Sequence, residues 1–155
     1  MNTEMYEKGL KALKVRDYKA AARDFEVVLN ELDEHDENYN KAASYVGLVQ
    51  VLISNRNGLL VCRDAASSEV LDGAVFLNLA CAEWHCHHRG RAIDAIRRGC
   101  KIDAGNERLQ RASELLESRK RSIFQYLPRK HSLNRAFGRL FRRSGGDVDV
   151  HSLLY

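Results

Sequence analysis

Apolar residues recur along this chain at three- and four-residue intervals, in segment after segment, with polar breaks between them. Residues 2–15 space Tyr6, Leu10 and Leu13 as one face of a helix, with Gly9 at its centre. Asp17 then supplies an N-cap for a helix over 18–31, YKAAARDFEVVLNE. Further helices follow over 40–54 and about 58–69, the second carrying Leu59, Leu60, Cys62, Ala65 and Ala66. Phe76, Leu79, Ala80 and Ala82, with Trp84 beside them, form the next. A polar break at His87-His88-Arg89-Gly90 precedes another apolar series from Ala92 to Ile102. Leu109, Ala112, Leu115 and Leu116 mark a seventh helix. Beyond Pro128, Leu133, Ala136, Phe137, Leu140 and Phe141 draw one face of a basic amphipathic helix over 131–143. Gly145-Gly146 ends it, and the residues after it are expected to fray.

Small residues sit among large ones where two antiparallel helices cross closely: Gly9, Gly47 and Ala80, spaced 38 and 33 apart. Phe76-x2-Leu79-Ala80 with Ala92-x3-Ile96, and Ala21-x3-Phe25 after the turn Arg16-Asp17-Tyr18, resemble the tetratricopeptide repeat, whose period is about 34 residues. Glu83 departs from the family's tyrosine, Ala104 from its proline, and Leu59 and Arg63 from its alanine and aromatic. The resemblance implies an all-α superhelix of antiparallel helix pairs, an α-solenoid, with repeats over about 2–35, 40–72 and 73–106. A capping helix over 107–121 completes a domain spanning 1–121, and a basic extension covers 122–155.

Charge divides along the chain. Residues 1–118 hold 16 Lys and Arg against 19 Asp and Glu, whereas residues 119–143 hold nine basic residues and no acid. No run approaches the roughly 20 apolar residues of a membrane span. With a start that lacks a signal-peptide pattern, this leads us to expect a cytoplasmic protein. Cys62, Cys81, Cys86 and Cys100 all fall in predicted helices and read as free thiols, with Cys81 and Cys100 expected to be the best protected.

Catalytic signals are absent. There is no Gly-rich phosphate loop, no zinc-protease motif and no nucleophile elbow, and no cofactor is implied. Cys81, His85 and His88 share a helical face, but a structural zinc needs four ligands, and the chain has no second Cys/His pair at a ligand-like spacing. The five acids between Glu31 and Glu37 lack the glycine and closing glutamate of a calcium loop, so they read as a solvated turn.

The expectation is therefore a non-catalytic protein-interaction module: an adaptor, a chaperone-like protein or an assembly factor. The resemblance places a concave groove on the first helix of each pair. Its positions here are Tyr6, Leu10, Leu13 and Lys14; Lys41, Ser44, Leu48, Val51 and Leu52; and Leu77, Cys81, Trp84 and His85. So apolar a groove invites a protein or peptide partner. The tail itself, or that of a second copy, is a further candidate, with Phe124, Leu127, Phe137, Leu140 and Phe141 laid on the groove. Arg129, Lys130, Arg135, Arg139, Arg142 and Arg143 give the alternative, a nucleic-acid- or anionic-membrane-binding segment.

Overall fold

The computed structural model describes residues 1–117 and 149–155. The basic stretch 119–143, with its six basic candidate residues and its five apolar ones, lies outside the described residues. What is described is all-α, without a strand. The helices are α1 (Thr3–Lys14), α2 (Tyr18–Asn30), α3 (Tyr39–Leu52), α4 (Asn57–Ser68), α5 (Gly73–His85), α6 (Arg89–Ile102), α7 (Glu107–Glu117) and α8 (Val150–Leu154).

Three of these helices end in the same way. After α1, α3 and α5 the chain passes through one residue with left-handed backbone: Arg16 (φ 63°), Ser54 (φ 71°) and His87 (φ 63°). The amide of that residue donates to the carbonyl three back (Leu13, Val51, Trp84), and the next amide to the carbonyl five back (Ala12, Gln50, Glu83). This pair of bonds satisfies carbonyls that a helix end leaves unpaired. The three turns are spaced 38 and 33 residues apart, as Gly9, Gly47 and Ala80 are. One turn geometry thus recurs in register with one crossing position, and no glycine is used to make it.

Each turn folds a second helix back onto the first, giving the pairs α1/α2, α3/α4 and α5/α6. The tightest crossing is α3 on α4. A Cβ built on Gly47 would stand 2.6 Å from the Gly58 carbonyl oxygen, and one on Gly58 would run into the Gly47 carbonyl. Successive pairs stack through α3 against α5, and α7 closes the far end on α5 and α6. Contacts between α2, α4 and α6 are sparse or absent, so the stack curves with α1, α3, α5 and α7 on its inner side. At the near end the core holds an aromatic trio. Phe25 stacks on Tyr45 at 4.8 Å between ring centres, and Tyr6 meets them edge-on at 6.0 and 5.6 Å.

The end of the chain departs from expectation. Residues 150–154 do not fray; they form α8 and pack on α5 and α7. The physical reason was present in the sequence. Asp149 caps the helix by accepting from the His151 amide, and Val150, Leu153 and Leu154 follow at i, i+3 and i+4 to form an apolar face that is buried. The thiols also fall differently: Cys62 and Cys81 are fully buried, while Cys100 and Cys86 are half-buried. Cys62 lies beneath the Gly47–Gly58 crossing, where its Sγ donates to the Ser44 carbonyl at 3.4 Å.

Candidate functional site

The inner side of the stack holds the chain's own C-terminal segment. Arg16, on the left-handed turn after α1, meets Asp149 at 2.6 Å. At the other end, Arg111 of α7 donates to the Tyr155 backbone oxygen at 2.6 Å. The Tyr155 hydroxyl donates to the Leu10 carbonyl at 3.4 Å, and Lys14 and Arg108 each stand 6.0 Å from its ring centre. Burial pushes the Tyr155 phenol up to about 12, although Arg108 works against it. Asp149 is held below the usual carboxylate range by the His151 amide and by Arg16.

A five-residue helix does not stand alone in water. Burying three aliphatic side chains contributes about 5–9 kcal/mol, and ordering six residues costs roughly 6–9 kcal/mol in backbone freedom. The apolar and entropic terms nearly cancel. The charged contacts at the two ends therefore decide how firmly the segment stays docked.

Beside the docked segment an open cavity of about 370 Å³ is lined by Tyr45, Ala74, Leu77, Asn106, Glu107 and Arg108. Because Arg108 also flanks Tyr155, the hollow adjoins the aromatic end of the segment. Lys41 borders the same region, paired with Asp72 at 2.9 Å and lying 6.0 Å from the Tyr6 ring centre.

The predicted groove residues divide. Leu10 and Lys14 touch the docked segment, and Leu77 lines the hollow. Tyr6, Leu13, Leu48, Val51 and Cys81 are buried in the packed core and present little or no surface. Ser44 is fully buried too; its hydroxyl donates to the Lys41 carbonyl and accepts from Asn78 at 2.9 Å. Leu52 and Trp84 are half-buried, with Arg89 stacked 5.3 Å from the centre of the indole, and His85 is exposed. Pattern alone could not separate a helix's packing face from its open face, because α3 and α5 are apolar nearly all round. Arg16, Tyr45, Arg108 and Arg111 escaped the sequence reading. The signal that pointed to them was the capped apolar series after Asp149.

A second polar constellation joins α4, α5 and α6. The Glu83 side chain, 3% exposed, accepts from Arg63 Nε at 2.8 Å and Nη2 at 3.1 Å, and lies 2.7 Å from His88 Nδ1. Burial pushes the Glu83 carboxyl up, but the hydrogen bonds and charges of Arg63 and His88 outweigh it and leave the group below its ordinary value. Cys81 is enclosed in the core and His85 faces solvent, so these two do not converge with His88 on a common point. Among the described residues no three His, Cys, Asp or Glu side chains gather in a form that would hold a metal ion, and no helix is long and apolar enough to cross a membrane.

Neither a protein-family profile, nor a curated protein, nor a solved structure matches the chain.

Proposed function

We propose that the chain is a tetratricopeptide-type helical repeat acting as a non-catalytic protein-interaction module, an adaptor or assembly factor that grips partners on its inner face. One observation carries the reading: that face already accommodates a short helical peptide, residues 149–155, with a cation at each end and an apolar bed between. A surface that suits one short amphipathic helix has the chemistry to take others. The turn repeated after α1, α3 and α5 supports the repeat assignment.

The test compares partner capture by the unmodified chain with capture by a Lys14→Glu, Arg108→Glu variant, at low and at moderate salt. Partners lost with the variant and little affected by salt support the inner face. Partners kept by the variant but released steeply by salt, or by nuclease, would shift the function to phosphate binding through residues 119–143.

A further inference from the structure

The docked segment describes its own competitor. Its features occur at fixed offsets: a carboxylate at the N-cap (Asp149), apolar side chains one, four and five residues on (Val150, Leu153, Leu154), and an aromatic ring at six (Tyr155). Each feature has a counterpart on the inner face. Arg16 meets the carboxylate, α5 and α7 receive the apolar side chains, and Lys14, Arg108 and the Leu10 carbonyl surround the ring.

Three further observations bear on exchange. The segment is too short to stay helical once undocked, so it folds only where it binds. It follows Glu117 through 31 intervening residues, a tether along which it can leave and return. The hollow of about 370 Å³ beside Tyr155 is left unfilled by the chain's own end.

From these we infer that the inner face is a receptor for short helical segments of other proteins patterned as Asp149–Tyr155 is, and that the chain's own end occupies the face until such a partner displaces it. The inference rests on the protein-interaction reading and narrows it to a ligand pattern and a built-in competitor. A partner with more bulk at or beyond the aromatic position gains contacts with Tyr45, Leu77 and Asn106 that the chain's own end does not make. A tethered competitor acts at an effective concentration of about millimolar. Foreign segments therefore bind weakly until the tethered one is weakened.

The experiment uses the full chain and a fluorescein-labelled peptide with the sequence of residues 149–155, followed by fluorescence anisotropy. The unmodified chain should bind the peptide weakly. The Leu153→Asp, Leu154→Asp variant, carried in the full chain, should bind it at least tenfold more tightly. Adding Arg16→Glu should abolish the gain, and a peptide with lysine in place of its first aspartate should restore it. A variant that stays folded by circular dichroism yet gains no affinity overturns the inference. So does a variant that unfolds, because the segment is then part of the core. A second measurement needs no variant: excess peptide should speed amide exchange in residues 150–155 of the unmodified chain while leaving α1 to α7 unchanged. Exchange that stays slow at saturating peptide also overturns it. If partner capture still depends on Lys14 and Arg108 while the peptide fails, the exchange mechanism is wrong and the interaction reading stands.

Discussion

Arg63 stands where the other two helix pairs carry Phe25 and Ile96, both fully buried, and Glu83 stands where they carry Ala12 and Gln50. Two polar departures from an apolar pattern have thus become partners, and replacing them singly or together should have very different costs. Arg63→Ile leaves the Glu83 carboxylate, 3% exposed, with His88 alone. The expected loss is about 2–3 kcal/mol, since each charge-assisted hydrogen bond is worth roughly 1.5–3 kcal/mol before discounting for solvent around the arginine. Glu83→Ala costs less, about 1–2 kcal/mol, because Arg63 is 34% exposed and can turn to water. The double variant restores an apolar pair and should lie within about 1.5 kcal/mol of the original, as replacements of buried ion pairs often do. The coupling is then about 2 kcal/mol. Urea unfolding of the four proteins measures it from midpoints and slopes, and melting temperatures should follow at about 2–4 °C per kcal/mol. A coupling below about 0.5 kcal/mol would refute the view that the two departures compensate each other.

Other expectations can be checked on the same preparation. Gly47→Ala should destabilise by about 2–3 kcal/mol in urea because the Gly58 carbonyl blocks the added methyl, while Gly90→Ala, with open space around it, should gain up to about 1 kcal/mol. Ser54→Gly relieves a left-handed residue and should raise stability by about 0.5–1 kcal/mol, measured the same way. The folded-state pKa values of Glu83 and Asp149 are lowered, so their contributions are complete above the ordinary carboxylate range and are lost as pH falls through the lower folded values. Acid titration followed by amide exchange should show residues 150–155 released as Asp149 protonates. With a thiol reagent, Cys86 should label before Cys62 and Cys81, whose thiols are buried and pushed up in pKa, Cys62 to about 12.

The helices were legible because each carries its own punctuation. Asp17 before Tyr18, and the polar run after Trp84, mark ends that the structure places within a few residues of the expected ones. The recurrence of Gly9, Gly47 and Ala80 was legible too, since close crossings admit little beyond a hydrogen or a methyl. The open face was not. In α3 every residue from Ala42 to Val49 is buried, so periodicity has no exposed side against which to define a groove. Nor was the inner-face chemistry readable, because Arg16, Arg111 and Tyr155 meet across 133 and 44 residues of sequence, Arg16 through Asp149 and Arg111 through Tyr155 itself. Only folding brings them together. The five residues of α8 were overlooked for the opposite reason: a signal so short is outweighed by the expectation that chain ends fray.

The polar exceptions are concentrated between the second and third helix pairs. Asn78 of α5 donates to Ser44 of α3, Cys62 of α4 to the Ser44 carbonyl, and Arg63 of α4 to Glu83 of α5. An apolar interface tolerates slippage, because one aliphatic contact substitutes for another at little cost. A buried Ser–Asn pair and a bidentate arginine do not slip, since a shift of one helical turn leaves several buried polar atoms unsatisfied. The first pair joins the second mainly through aromatic packing at Tyr6, Phe25 and Tyr45, which orients rings without fixing one set of donors and acceptors. The polar pairs therefore set the register of α3, α4 and α5, the central helices of the stack. That register also matters for the inner face. The floor of the hollow is built from Tyr45 on α3 and Ala74 and Leu77 on α5, and its shape depends on those two helices holding their relative height.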